Sequence, residues 1–399
     1  MILSKELLIK LVLAAGVFGL PLISQAATAD IEREFDVAPG GTLVIQSDAG
    51  DIDIIASDQA RVRVRVRNPN DFEVDIEQNG NDIAIRAESQ RGFPGFGRNS
   101  IGFTVEVPQS YNLNLDTGGG HIRIPDLTGR IAANTSGGAI EIGNVTAGSV
   151  RADTSGGPIV ILNVAGDVEA DTSGGSIDIG NVTGNVTADT SGGRILIGNV
   201  QGDILAYTSG GNIDVGEGGG RVQLDTSGGT IRAGWAQGPL IADTSGGNIY
   251  LAGSSTRVDA DTSGGNIEIK GSEGPVNAET SGGSIMVNSS AGPVRADTAG
   301  GRIEVDLGNV SGTIGGAVDL ETNGGDVTLR LPANLGVTVD AVLEVSRRGR
   351  GDYRIYTDFP LVIEEDESNI IGRGDINGGG EMVSIRTQNS DINIVRVGN

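Results

Sequence analysis

The sequence has no cysteine, one histidine (His121), one tryptophan and only 3% aromatic residues across 399 positions. Each shortage closes a class of chemistry. Without cysteine there are no disulfides, thiolate metal sites or thiol nucleophiles. One histidine excludes multi-histidine metal centres and would leave a histidine-based triad resting on His121 alone. Positive charge is also scarce: 28 Lys and Arg stand against 52 Asp and Glu, a net charge of −24. That balance argues against a nucleic-acid backbone or an anionic membrane as the main partner. With 12 prolines, the 66 glycines cannot be collagen. Regularly placed Ile and Val argue against disorder. So much glycine therefore needs a structural reason.

A long apolar run occurs only near the start. Lys5 and Lys10 precede Leu11 to Ile23, and small residues follow at Ser24-Gln25-Ala26 and Ala27-Thr28-Ala29. Residues 1–29 read as a cleaved secretory signal peptide, since the run is short for a membrane span and no stop-transfer segment follows. The mature chain is expected to be exported, periplasmic or at the cell surface, with no integral membrane segment.

The rest of the chain repeats itself. The pentad Asp-Thr-Ser-Gly-Gly, or a near variant, begins at Asp116, Asn134, Asp153, Asp171, Asp189, Tyr207, Asp225, Asp243, Asp261, Glu279 and Asp297. All but one of these spacings are 18 residues, the exception being 19, and a further copy starts at Glu321. Weaker copies lie at residues 46–50 and 386–390, each followed by x-Ile-x-Ile. A short fixed period marks a solenoid. In residues 168–185, Val168, Ala170 and Thr172 alternate with Glu169, Asp171 and Ser173, the pattern of a half-buried strand. Gly174-Gly175 turns the chain, Ile177 and Ile179 form a second strand, and Gly180-Asn181, Val182 and Thr183-Gly184 complete the coil. One coil cannot bury its interior, whereas coils stacked about 4.8 Å apart can. The expected fold is all-β: a single-stranded parallel β-helix, right-handed by the usual crossover rule.

The ends depart from the repeat. Strand-like runs at Arg61 to Arg67, Phe72 to Glu77 and Asp82 to Ala87 include an Asn79-Gly80 hairpin signal. Residues 91–100 read as a loop, Leu331 to Val345 as strand, and the stretch through Gly380 as irregular. The expected organisation is a signal at 1–29, an N-terminal capping region with a hairpin at 30–115, regular solenoid at 116–330 and a C-terminal cap at 331–399.

Several of these segments carry a resemblance. They are Phe35-Asp36-Val37 with Gly40-Gly41 and Leu43-Val44-Ile45, Phe103 to Pro108, the Thr-Ser-Gly-Gly-x-Ile-x-Ile series, and Thr322-Asn323-Gly324-Gly325-Asp326-Val327. With them, most of residues 34–399 resembles the bacterial adhesin-type β-solenoid family, whose toastrack-type relatives are domains of unknown function. The resemblance implies a cell-envelope location and a non-enzymatic role in adhesion or stress.

Several groups of residues could form sites, and each also has a plainer role. The outward acids Asp153, Asp171, Asp189, Asp225, Asp243, Asp261, Glu279 and Asp297 form a ladder broken by Tyr207. Neighbouring carboxylates 4.8 Å apart repel by roughly 0.9 kcal/mol at water-like dielectric. Either each carboxylate accepts N–H bonds from its own turn, the preferred reading, or the row holds Ca²⁺. The threonines from Thr135 to Thr298 share their strand face with Val and Ala, so they should point inward, which counts against an ice-binding array. Arg61, Arg63, Arg65 and Arg67 are expected to pair across strands with Glu73, Asp75 and Glu77 rather than bind a polyanion. Arg347, Arg348 and Arg350 read as solvated loop residues, Phe93 and Phe96 as part of a loop tucked over the rod end. Arg373-Gly374-Asp375 reads as a chance tripeptide, and His121 alone defines no site.

A β-helix polysaccharide enzyme would need a cleft built from coil insertions, aromatic platforms and an acid–base pair, and the regular coils offer none of these signals. The reading is a non-catalytic exported envelope protein, adhesin-like or structural, binding an envelope or surface ligand, protein or glycan, through its elongated surface. The alternatives are a carbohydrate-processing β-helix enzyme and an envelope-stress sensing module. No catalytic, cofactor-binding or metal residue is assigned.

Overall fold

A computed structural model describes residues 30–90, 101–310, 312–346 and 351–398. The signal segment, the loop bearing Phe93 and Phe96, and Arg347, Arg348 and Arg350 lie outside the described residues. Apart from a one-turn helix at Pro69–Asp71, the elements are β-strands.

Each regular coil contributes a five-residue strand such as Val168–Thr172 and a three-residue strand such as Ile177–Ile179. Both follow from side-chain alternation. Val168, Ala170 and Thr172 are buried while Glu169 and Asp171 face water, and Ile177 and Ile179 are buried on either side of Asp178. Equivalent strands pair in parallel and in register, so Val168 lies beside Val150 and Val186, and Ile177 beside Ile159 and Ile195. A column of single parallel bridges through Val145, Val164, Val182 and Val200 makes a third wall. Val168, Ala170, Thr172, Ile177, Ile179 and Val182 all point into the bore. Burying a Val or Ile side chain stabilises by roughly 1.5–3 kcal/mol, which is realised only when coils stack.

The corner after the long strand is closed by two devices. A Cβ on Gly175 would lie 1.9 Å from the Gly157 carbonyl oxygen one coil back, so only glycine fits. A Cβ on Gly174 would come no nearer than 3.6 Å to any atom, so that position is not sterically restricted. Beside them, the Thr172 hydroxyl donates to the Gly157 carbonyl at 3.0 Å and accepts the Gly175 N–H at 3.2 Å. The threonines point inward, as their phase requires, and the buried hydroxyl is satisfied on both sides.

At both ends the chain leaves sequential order. The coil of Thr42–Ser47 and Asp51–Ser57 pairs outward with Asp82–Ser89 and Gly102–Pro108 and inward with Asn112–Thr117 and Ile122–Ile124. At the far end, Glu381–Gln388 and Ile392–Val397 pair inward with Val318–Thr322 and Val327–Pro332 and outward with Val337–Glu344 and Ile355–Thr357. Each of these two coils is thus clamped between two others. Antiparallel strands close the stack: Ile31–Asp36 on Arg61–Arg67, Phe72–Asn79 on Asp82–Ser89, and Val362–Glu365 on Asn369–Ile376. The hairpin signalled at Asn79-Gly80 forms, with Gly80 at φ +62°. The stretch expected to be irregular before Gly380 instead contains Ile355–Thr357, Val362–Glu365 and Asn369–Ile376. Two of these are antiparallel additions, so they carry no repeat pattern to read.

Candidate functional site

The acidic ladder sits on the outer face of the long-strand sheet. The in-register pairing aligns Asp153, Asp171, Asp189, Tyr207, Asp225, Asp243, Asp261, Glu279, Asp297 and Glu321 along the rod. The expectation that each carboxylate caps its own turn is corrected by the hydrogen bonding. The turn amide is bonded by the buried threonine hydroxyl, because Thr172 and not Asp171 lies on the inner side of the corner. With that capping role filled by threonine, burial pushes the carboxyls of Asp171, Asp243 and Asp261 up, and the charges of neighbouring rungs add to the shift. Arginines offset part of the repulsion: Arg151 bonds Glu169 at 2.7 Å, and Arg295 lies 3.5 Å from Glu279 and 3.7 Å from Asp297. Among the described residues no group of three or more Asp, Glu or His side chains is disposed to hold a metal ion.

The arginine stripe does pair with acids, but not the expected ones. Arg61 and Arg63 bond Glu34 at 2.7 and 3.3 Å, Arg63 also bonds Glu106 at 3.1 Å, and Arg65 bonds Asp30 at 2.8 Å. The cause is topological. Arg61–Arg67 joins the short-strand sheet between Ile31–Asp36 and Gly102–Pro108, whereas Phe72–Asn79, bearing Glu73, Asp75 and Glu77, edges the other sheet.

Arg373-Gly374-Asp375 lies within the strand Asn369–Ile376, not in a loop. Arg373 bonds Asp340 at 2.7 Å and Asp375 accepts the Thr338 hydroxyl at 2.7 Å, so both charges serve the cap. His121 is exposed, and its Nδ1 accepts the Ala139 N–H of the next coil at 3.0 Å. It belongs to a corner ladder in which a side-chain acceptor receives the following coil's N–H, as Asn248 Oδ1 does from Asn266 and Asn266 Oδ1 from Ser284. Two surface depressions among the described residues are shallow and open. One is lined by Gln46, Asp48, Arg86, Glu88 and Asp116, another by Asp340, Arg373, Asp375 and Met382.

One pair of coils escaped the sequence reading, which finds no aromatic platform among them. In the strands Ile231–Ala236 and Ile249–Ser254, which run six residues instead of three, Arg232 pairs with Tyr250 and Trp235 with Gly253. The Arg232 guanidinium lies 5.2 Å from the centre of the Tyr250 ring. A Cβ on Gly253 or Gly271 would fall 2.7 or 3.3 Å from Trp235 Cζ3, so the indole rests over the backbone of the next two coils. The spacing was the available signal: Trp235, Gly253 and Gly271 occupy one corner column at the repeat period.

Comparison with known proteins agrees with the fold. Residues 41–238 match the family model described as Toastrack DUF4097. A structure described as a "putative cell adhesion protein" from Clostridium sporogenes is 10% identical with a TM-score of 0.16, covering 92% of this chain and 100% of that one. A "putative lipid binding protein" from Parabacteroides distasonis is 17% identical with a TM-score of 0.23, covering 68% and 97%. A "putative adhesin" from Bacteroides fragilis is 8% identical with a TM-score of 0.15, covering 93% and 98%. At such scores the likeness carries no argument. No curated protein matches the chain. Among the described residues no helix is long and apolar enough to cross a membrane. The in-register coils make this chain a β-solenoid, and residues 41–238 of it match the toastrack family model.

Proposed function

We propose that the protein is a non-catalytic, exported component of the cell envelope that binds a surface or envelope ligand along the side of its rod. One observation carries the reading: from Asn112–Thr117 to Val294–Thr298 the long strands stack in unbroken register, presenting outward side chains at one repeat per coil. Such a surface suits an extended partner that repeats its own contacts. The leader-like residues 1–29 support export to the periplasm or the cell surface, and the charge of −24 disfavours a polyanionic ligand. The shallow surface depressions give a substrate little enclosure, which favours binding over turnover. The same reading takes the coil as right-handed.

The test has two arms. Fractionation of expressing cells should place the mature chain in the periplasm or on the surface, and recovery from the cytoplasm would overturn export. Purified protein should be retained on envelope fragments without degrading polysaccharides added to it. Release of reducing ends would overturn the non-catalytic reading.

A further inference from the structure

We propose that the coils of residues 231–271 carry a binding site for a neutral polysaccharide chain, with Trp235 as a stacking platform and the Arg232–Tyr250 pair further along the same two strands. The proposal rests on the reading of the rod as a binding surface and assigns it a location and a ligand class.

Position is the first argument. In the preceding coils this corner is a polar ladder: Asn181 N–H bonds Asn163 Oδ1 at 3.0 Å, Asn199 N–H bonds Asn181 Oδ1 at 2.9 Å, and Glu217 N–H bonds Asn199 Oδ1 at 2.9 Å. The ladder stops where Trp235, the only tryptophan of the chain, takes the same outward position. It is not a bore residue, since inward Ala233 and Ala236 fill that role on either side.

The second argument is preorganisation. Gly253 and Gly271 clear the corner so that the ring lies against backbone, and the indole N–H donates to Ser255 Oγ at 3.0 Å. Ser255 Oγ is in turn 3.4 Å from Gln237 Oε1. The indole stays partly exposed. A ring fixed in this way loses little entropy on binding.

The third argument is chemistry. A sugar ring has an apolar C–H face that suits an aromatic plane and hydroxyl edges that suit Arg232, Gln237 and Ser255. Arg232 is oriented by Asp214 at 3.4 Å and by the Tyr250 ring. Register places Glu268 beside Tyr250, and Glu217 precedes Trp235 in the corner column. These acids disfavour an anionic polymer and, with the net charge, a nucleic-acid strand that would otherwise stack on the same rings. The partly exposed, outward position of Trp235 and Tyr250 favours a chain lying across the coils over a small enclosed molecule.

Because Trp235 is the sole tryptophan, fluorescence excited selectively at tryptophan reports on this site alone. The full chain would be titrated with cellohexaose, xylohexaose, mannohexaose and chitohexaose, with heparin as the anionic contrast. At least one neutral oligosaccharide should give a saturable spectral change, and heparin none. Tyr250→Ala and Arg232→Ala, which leave the reporter in place, should weaken binding about tenfold, a loss of about 1.4 kcal/mol. No saturable change with any neutral oligosaccharide, or unchanged midpoints in both variants, overturns the proposal. Retention on envelope fragments separates the two readings. If wild type and Trp235→Ala are retained equally, the site is wrong and the binding surface stands. If neither is retained, both fall.

Discussion

In the middle of the rod, order along the chain and order in space coincide, and each coil touches only its predecessor and successor. At both ends they diverge. The coil of Thr42–Ser47 lies between Asp82–Ser89 and Asn112–Thr117, and the coil of Glu381–Gln388 between Val318–Thr322 and Val337–Glu344. The middle is therefore a propagating solution, stable because each coil repeats the last. The ends are specific solutions, since an open bore and free strand edges would expose apolar side chains and unpaired backbone. Tucking the coils of Thr42–Ser47 and Glu381–Gln388 inside the stack means that either can come loose only by breaking pairing on two sides.

This difference predicts opposite responses to deletion. Removing residues 169–186 joins Val168 to Thr187, which stands at the position Glu169 held, since Glu169 and Thr187 are register partners. The shortened chain should fold as a solenoid one coil shorter, with a nearly unchanged melting midpoint. Removing residues 381–399 takes one coil as well, but strands the outer strand Val337–Glu344 and its antiparallel partner Asn369–Ile376 from the stack. That variant should lose the cooperative unfolding of the C-terminal end and be cut there by protease under native conditions. Equal behaviour of the two deletions would erase the distinction.

Within the middle, two adjacent glycines sharpen it further. Gly175→Ala drives a Cβ into the Gly157 carbonyl and should destabilise by roughly 2–3 kcal/mol, as forced overpacking does. Gly174→Ala meets nothing closer than 3.6 Å and should change stability by less than about 1 kcal/mol. At the N-terminal hairpin, Gly80 has open space around it but φ +62°, so Gly80→Ala should cost about 1 kcal/mol through backbone strain alone. Urea unfolding of the three variants measures all of these.

These contrasts also explain what was readable from the residues. The middle was legible because one template, Val-x-Ala-x-Thr followed by Gly-Gly-x-Ile-x-Ile, satisfies strand alternation, corner sterics and bore volume together, and recurs. The inward threonines followed from phase alone. The hydrogen bonds of Thr172 did not, because phase says which way a side chain points and not which amide it meets. The partners of Arg61 to Arg67 were misassigned because sequence adjacency suggested Phe72–Asn79, while three-dimensional sheet membership supplied Glu34 and Glu106. Trp235 was visible as a residue, but its role needed the coil alignment that places Gly253 and Gly271 beneath it.

Acidification should separate the regions by sign. In the middle, the carboxyls of Asp171, Asp243 and Asp261 are raised by burial and then by like-charged neighbours. The folded state takes up protons before the unfolded chain, whose aspartates titrate near 3.9, so these groups add stability as pH falls through their folded values. At the ends the sign reverses. Glu34 is lowered by hydrogen bonds from Arg61 and Arg63, and Asp366 by the backbone N–H groups of Ser368 and Asn369. Their contribution is present above the unfolded value and is lost as pH falls through the folded one. Hydrogen exchange should show protection held or rising in the central coils as pH falls from 7 to about 4, and falling at the caps only on further acidification below about 4, where the unfolded chain takes up protons before Glu34 and Asp366 do. Asp243→Asn should raise the melting midpoint at pH 7 and flatten the gain on acidification. A midpoint unchanged at both pH values would remove the ladder from the pH response.

The smallest effect is expected where the charges look most orderly. Arg63 bridges Glu34 and Glu106 across three strands at 3.3 and 3.1 Å, yet about half of its side chain is open to solvent (47%). Exposed pairs gain little because water screens both charges and the long side chains lose freedom in pairing. What holds this end is the apolar side of the same strand, where Val62, Val64 and Val66 are fully buried. Arg63→Gln, which keeps most of the aliphatic stem, should therefore leave the melting midpoint within experimental error in physiological salt. Val64→Ala, one residue away and facing inward, removes buried methyl groups and should lower stability by roughly 1–3 kcal/mol. If the arginine change proved the more damaging of the two, the caps would be held by electrostatics and not, like the middle of the rod, by burial.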